Sequence, residues 1–207
     1  MKFIFFSVFC IIKKSNPGKF IKLNLKFKMV STNGILAMIF FVLSAYLMYG
    51  ILSNPHPTFK QMNETGLLDM TPNWNRASIE KLHKVIGDDG LKYYAVGYKD
   101  LDGDCTFAIC HALFFAFVLR ALNPKDTFFW KFSLLMGVFD VTENACIHFA
   151  LMNWPEHENM DLWISIGGKS TTLKFAVCAV TFLVFLKEIF GMLLGGGKSK
   201  EDWLCYI

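Results

Sequence analysis

The chain has 207 residues, 54% of them hydrophobic, with 22 Phe, only 18% charged residues and a formal net charge of +4. Soluble domains carry about 25% charged residues. The shortfall, and the bunching of apolar residues into long uncharged runs, argue against an ordinary soluble domain and for lipid as the solvent of one domain.

Residues 1–12, MKFIFFSVFCII, place Lys2 ahead of a Phe-rich run, as a signal-peptide core does. No small-residue cleavage site follows. Instead Lys13, Lys14, Lys19, Lys22, Lys26 and Lys28 crowd the chain with no acidic residue among them. The run is too short to span a bilayer, so residues 1–30 read as a basic N-terminal leader. It is either an uncleaved interfacial segment or a dispensable stretch ahead of a start at Met29. A basic arm also suits nucleic acid. In so apolar a chain, positive charge flanking a membrane helix is the plainer account, and no nucleic-acid partner is expected.

The expected fold is an all-α integral membrane four-helix bundle, residues 31–197. Its spans lie at about 35–53, 105–122, 130–154 and 172–194, and a tail, 198–207, follows. The first run is uncharged and closed by Asn54-Pro55. As a helix it covers about 28 Å, enough for the hydrocarbon core. Arg120 can snorkel at the end of the second, which Asn123-Pro124 closes. Trp130 and Trp154 sit at the two ends of the third, as interfacial tryptophans do. Gly195-Gly196-Gly197 stops the fourth.

Loop charge orients these spans. The leader is basic, and the short second loop holds Arg120, Lys125 and Lys131 against Asp126. The loop 54–104 holds Asp88, Asp89, Asp100, Asp102 and Asp104, and the loop after span three holds Glu156, Glu158 and Asp161. The positive-inside rule then places both termini in the cytoplasm and loop 54–104 in the lumen or outside. Asn63-Glu64-Thr65 is a glycosylation sequon on that side. Within the loop, Ile79, Leu82, Val85 and Ile86 recur at helical spacing up to Gly87. Leu91, Tyr94, Ala95 and Tyr98 share a second face. Two short amphipathic lumenal helices are expected there.

Span three carries the chain's sharpest signal. Asp140, Glu143 and Asn144, with His148 a turn on, share one helical stripe. An acidic side chain at the bilayer centre costs about 2.5–3.5 kcal/mol. The stripe must therefore face the bundle interior and find partners. Candidates are His111 in span two and Lys174, Cys178 and Thr181 in span four. Lys187, Glu188, Tyr46 and Tyr49 are further ones. Lys174 is the natural cationic partner, but the expected depth puts it roughly 12 Å toward the lumenal side, leaving His148 or a water chain to intervene.

The chain resembles a diffuse group of small four-span membrane proteins that share an intramembrane D-x-x-E-N. The matching pieces are Tyr94, Asp102, Asp140-Val141-Thr142-Glu143-Asn144, Pro155 and Thr172-Leu173-Lys174, within 81–175. Gly103-Asp104 stands where the group has an aromatic-Pro pair after the Asp. The resemblance implies the topology and an interior site, with Asp102 and Tyr94 as secondary members. It implies no activity.

Three functions fit. One is binding or transport of a lipid, a small amphiphile or an ion at the interior polar site. Another is a membrane enzyme acting on a lipid or sterol, with Glu143 or Asp140 as general acid/base. The third is a structural subunit whose polar stripe holds helices together. A metal hydrolase built on His111, Asp140, Glu143 and His148 lacks any HExxH-like spacing. No metal or other cofactor is expected. Six cysteines without CxxC spacing suggest apolar packing rather than a disulfide framework. The expected partners are membrane lipids and further copies or a larger membrane complex.

The orientation is open to test in sealed vesicles. A membrane-impermeant maleimide should reach Asn63→Cys only from the lumenal side, and labelling from the cytoplasmic side would overturn the topology.

Overall fold

The computed structural model describes residues 6–9, 26–29, 31–53, 58, 60–62, 66–98, 104–155 and 158–193. Asn63 and Asp102, the sequon and one secondary site residue, lie outside these. Strand β1 (Phe6–Phe9) pairs antiparallel with β2 (Lys26–Met29), Phe6 opposite Met29. From residue 31 to 193 every described element is helical.

Helix α1 (Thr32–Leu52) begins where Ser31 Oγ accepts the Gly34 amide at 3.1 Å, an N-cap that satisfies one orphan donor. The cap region follows. A 3-10 turn (Leu68–Met70) leads to α2 (Arg76–Lys92). Asn75 and Ser78 exchange side-chain and backbone bonds as a capping box at the start of α2. Gly87 adopts φ 67°, a conformation that side-chain-bearing residues avoid, and breaks α2 at the expected place. The chain then winds on to Lys92 and continues as a π-helical turn, Tyr93–Tyr98.

Helix α3 (Asp104–Leu122) ends near Asn123. Asp126 accepts the Phe128 and Phe129 amides at 3.0 and 2.9 Å and starts α4 (Phe129–Phe132). A break at Ser133 separates α4 from α5 (Leu134–Met152). Arg120 lies over the Trp130 ring at 4.7 Å, as its position at a span end suggests. Helix α6 (Met160–Leu193) has 34 residues and starts well ahead of the expected 172.

Three segments are long and apolar enough to cross a membrane by length and composition: Thr32–Gly50, Asp104–Leu122 and Phe129–Met152. Their lipid-type character shows in large side chains turned outward, among them Met38, Phe41, Val42 and Val138. Tyr46 and Tyr49, expected as inward hydroxyl donors, also point outward, each 72% exposed. Helix α1 leans on α3 through stacked Phe40 and Phe117 and tilted Phe41 and Phe114.

The larger core lies under the cap, where Trp74, Ile79, Leu82, Leu91 and Tyr94 pack on Ile147, Ala150, Leu151 and Ile164. The cap is thus a folded layer with its own core, not a pair of helices resting on a surface. A smaller core of Ala112, Phe115, Met136 and Val177 joins α3, α5 and α6.

Two glycines set the cap's seat. A Cβ at Gly167 would enter the Trp74 ring, and one at Gly168 would enter the Trp74 carbonyl. Asn73 N donates to Gly168 O at 3.1 Å, which holds the loop against α6. Gly168→Ala should lower stability by about 1–3 kcal/mol through overpacking. Gly191→Ala, where a Cβ meets nothing within 4 Å, should be neutral or stabilising. Thermal unfolding in detergent compares the two.

Candidate functional site

Asp140 and Glu143 lie almost one turn apart on α5, and Thr171 and Lys174 stand on the facing turn of α6. Lys174 Nζ contacts Asp140 Oδ1 at 3.2 Å and also Glu143 Oε2. The same ammonium donates to the backbone carbonyl of Asp69 in the cap at 3.1 Å. The expected gap in depth between Lys174 and the stripe is absent. Because α6 starts at Met160 and runs beside α5, the lysine stem lies level with the carboxylates, and no histidine intervenes.

Burial makes this a costly arrangement. Glu143 is fully buried, and the Lys174 and Asp140 side chains are 12% and 16% exposed. Thr171, also fully buried, stands between Glu143 Oε1 and its own helix's Gly167 O, 3.0 Å away. Asp69 is buried as well, and its carboxylate accepts the Tyr94 hydroxyl at 2.9 Å. Tyr94 Oη in turn accepts the Leu68 amide at 3.0 Å. Tyr94, expected as a secondary member, therefore joins the site through Asp69.

Asn144 faces the other way along the stripe. Its amide donates to Asp104 Oδ2 at the first turn of α3 and lies 3.7 Å from Cys105 Sγ. A carboxylate at that end of a helix is favoured by the macrodipole. Asn144 Oδ1 is buried without a partner, as is the indole nitrogen of Trp74.

The two histidines leave the cluster. His148 Nδ1 donates to the carbonyl of Ala95 at 2.9 Å. That carbonyl sits in the π-helical turn, whose altered bonding pattern is common at special sites. His111 turns to the α1 side, with ring contacts to Phe107 at 5.3 Å and Phe115 at 5.1 Å. Lys187 is exposed on α6, and Glu188 accepts from Asn123 Nδ2 at 3.2 Å at the far end of the bundle. Thr181 is buried but has no hydrogen-bond partner, and Cys178 packs in the apolar core.

The structure thus brings together Asp140, Glu143, Lys174 and Tyr94, sets Asn144 beside Asp104, and separates His148 and His111. Sequence reasoning missed Asp69, Thr171 and Trp74. Thr171 alone left a signal, at offset three from Lys174 on the same face. Among the described residues, no three His, Cys, Asp or Glu side chains converge as a metal site would require.

Comparison with known proteins finds no matching family model, no matching curated protein and no matching solved structure.

Removing one partner of a buried ion pair leaves the other charge uncompensated, at a cost of about 3–5 kcal/mol. Lys174→Met should destabilise the protein by that order. Adding Glu143→Gln to the same chain should recover part of the loss, which a double-mutant cycle of unfolding free energies measures.

Proposed function

We propose that the chain is a four-span membrane protein whose interior acidic cluster binds a small cationic group: a proton, or the amine of an amphiphile. The observation that carries this reading is the imbalance of buried charge. Lys174 meets two buried carboxylates, Asp140 and Glu143, while its contact in the cap is the backbone carbonyl of Asp69, whose own carboxylate accepts from Tyr94. Two like charges 4 Å apart repel by about 4 kcal/mol at an effective dielectric of 20. Two buried carboxylates that share the Lys174 ammonium favour a proton or a further cation at the site.

Two further features support it. The Thr171 hydroxyl has one proton and two acceptors in reach, Glu143 Oε1 and Gly167 O. A protonated Glu143 resolves this by donating to Thr171, which then donates to Gly167. Asn144 Oδ1, beside Asp104, and Trp74 Nε1, on the indole that packs on Gly167, are also buried without a partner.

The fourth span in this reading is α6. Residues 175–186 are uncharged and cover about 18 Å. Lys174 reaches inward at one end, and the Lys187 side chain can reach the opposite surface at the other. Loop charge places both termini in the cytoplasm and the cap on the opposite side.

A second reading has its own observation. Lys174 joins α5, α6 and the cap backbone in direct contacts, as a clamp in a structural subunit would. One variant separates the two. Glu143→Gln mimics the protonated acid, its amide donating to Thr171 and its carbonyl accepting from Lys174, so the fold should hold. The binding reading expects loss of the protonated-carboxyl infrared band and of any co-purified amine. A stable variant that keeps both would leave the cluster as a clamp.

A further inference from the structure

The basic end of the bundle takes no part in this chemistry, yet it carries a site of its own. A cavity of about 230 Å³ lies there between α1, α3 and α4, and Asn33, Arg120 and Trp130 form its polar side. The Arg120 guanidinium lies over the Trp130 ring at 4.7 Å and the Lys131 ammonium at 5.4 Å, so two cations gather on one indole. The carboxylate nearest in sequence, Asp126, already accepts the Phe128 and Phe129 amides. Among the described residues no carboxylate pairs with Arg120, Lys125 or Lys131. Asn33 belongs to the first turn of α1, the end at which the helix macrodipole favours an anion. The cavity thus presents uncompensated positive charge and a side-chain amide, with nothing acidic in its lining.

The space does not end at its cations. Leu113 and Leu134 form walls of this cavity and also of a second one, about 360 Å³, between α3 and α5. The shared walls belong to one stripe on each side. Ile109, Leu113, Ala116 and Arg120 step along α3 at spacings of three and four residues. Trp130, Leu134, Val138 and Val141 do the same along α4 and α5. From Leu134 to Val141 the helix rises about 10 Å. The one hydroxyl on this stretch, Thr142 Oγ1, is turned back onto the Val138 carbonyl at 2.8 Å. Ala112 and Gly137 approach closely and leave the floor of the groove without large side chains. We propose that this groove binds an anionic phospholipid, its phosphate at Arg120 and one acyl tail between α3 and α5. The lining selects that class. A guanidinium fork matches two phosphate oxygens, and basic pockets between membrane helices take anionic headgroups. A zwitterionic head adds a cation next to Arg120 and Lys131, where no carboxylate lines the cavity to receive it. A free phosphate would leave the apolar groove unfilled. Trp130 suits the headgroup depth, where tryptophans of membrane proteins collect. The inference rests on α3 and α5 lying in the bilayer, as in the four-span reading, and not on the acidic cluster.

The test uses the full chain in phosphatidylcholine vesicles and two lipid probes, phosphatidylglycerol and phosphatidylcholine, each with a diazirine midway along one tail. The phosphatidylglycerol probe should crosslink to peptides carrying Leu113, Val138 or Val141. Excess unlabelled phosphatidylglycerol should suppress this severalfold, and inorganic phosphate at the same concentration should not. Arg120→Gln combined with Lys131→Gln should cut the labelling severalfold, with the thermal unfolding midpoint in detergent unchanged. Val138→Trp, at a position 57% exposed, should fill the groove and cut the labelling too, with both cations still in place. Equal labelling by the two probes, or none at these peptides, would overturn the proposal. So would undiminished labelling of both variants, and displacement by inorganic phosphate would overturn a lipid occupant. Flotation with the vesicles is the control. A chain that floats and fails these tests loses this site alone, whereas one that does not float loses the four-span reading as well. No readout depends on Glu143.

Discussion

The structure turns on the cost of holding one ammonium group inside an apolar protein. Lys174 sits in α6 with a side chain only 12% exposed, and water cannot solvate it there. Its compensation comes from three places: Asp140 and Glu143 on α5, and a backbone carbonyl at Asp69 in the cap. A carbonyl donated by a loop fixes that loop in position and orientation. The seat for Trp74 on Gly167 and Gly168 follows, since only residues without side chains let the indole and its backbone come so close to α6. Tyr94 closes the arrangement by bonding Asp69 from the turn after α2. Ion pairing and cap packing are therefore one construction.

That construction divides the molecule into two regimes of packing. Under the cap, large side chains such as Trp74, Met62, Tyr94 and Ile147 are fully or almost fully buried, as in a water-soluble core. Toward the other end, small residues bring helices together. A Cβ on Gly137 would lie 2.9 Å from the Ala112 Cβ, so α3 and α5 nearly touch there. Large side chains instead face outward, Leu183 at 64% exposed and Phe190 at 54%. Were these helices in lipid, pulling such residues inward would bring no hydrophobic gain, and close backbone approach would supply the packing in its place.

Much of this was legible in the sequence because composition and spacing act locally. Long apolar runs locate α1, α3 and α5 to within a few residues, and the break at Gly87 was visible as a helix-ending glycine. The offsets among Asp140, Glu143 and Asn144 place them on one face, and the cost of burying them points inward. What spacing within one helix does not encode is the rotation of its neighbours. His111 and His148 are polar residues on apolar helices, like the stripe, yet one faces α1 and the other the carbonyl of buried Ala95 in the cap. The role of Asp69 is carried partly by its backbone carbonyl, which has no residue-type signature. The depth argument for Lys174 failed because it took the fourth helix to begin near 172, whereas α6 starts at Met160 and carries the lysine alongside the stripe.

The same asymmetry shows in how the helices are attached to one another. The acidic cluster is fastened by ion pairs between α5, α6 and the cap, which are directional and tolerate little displacement. Helix α1 is attached differently. Among the described residues its links to α3 are aromatic contacts such as Phe40 on Phe117 at 5.7 Å, with no side-chain hydrogen bond or ion pair between them. Aromatic pairs have broad preferred separations of about 4.5–7 Å, so a small slide of α1 costs little. Phe41, Phe107 and His111 line a groove at that compliant seam, while Glu143 lies on the far side of α3 in the part that resists movement. A change in the shape of the seam can thus leave the ion pairs intact.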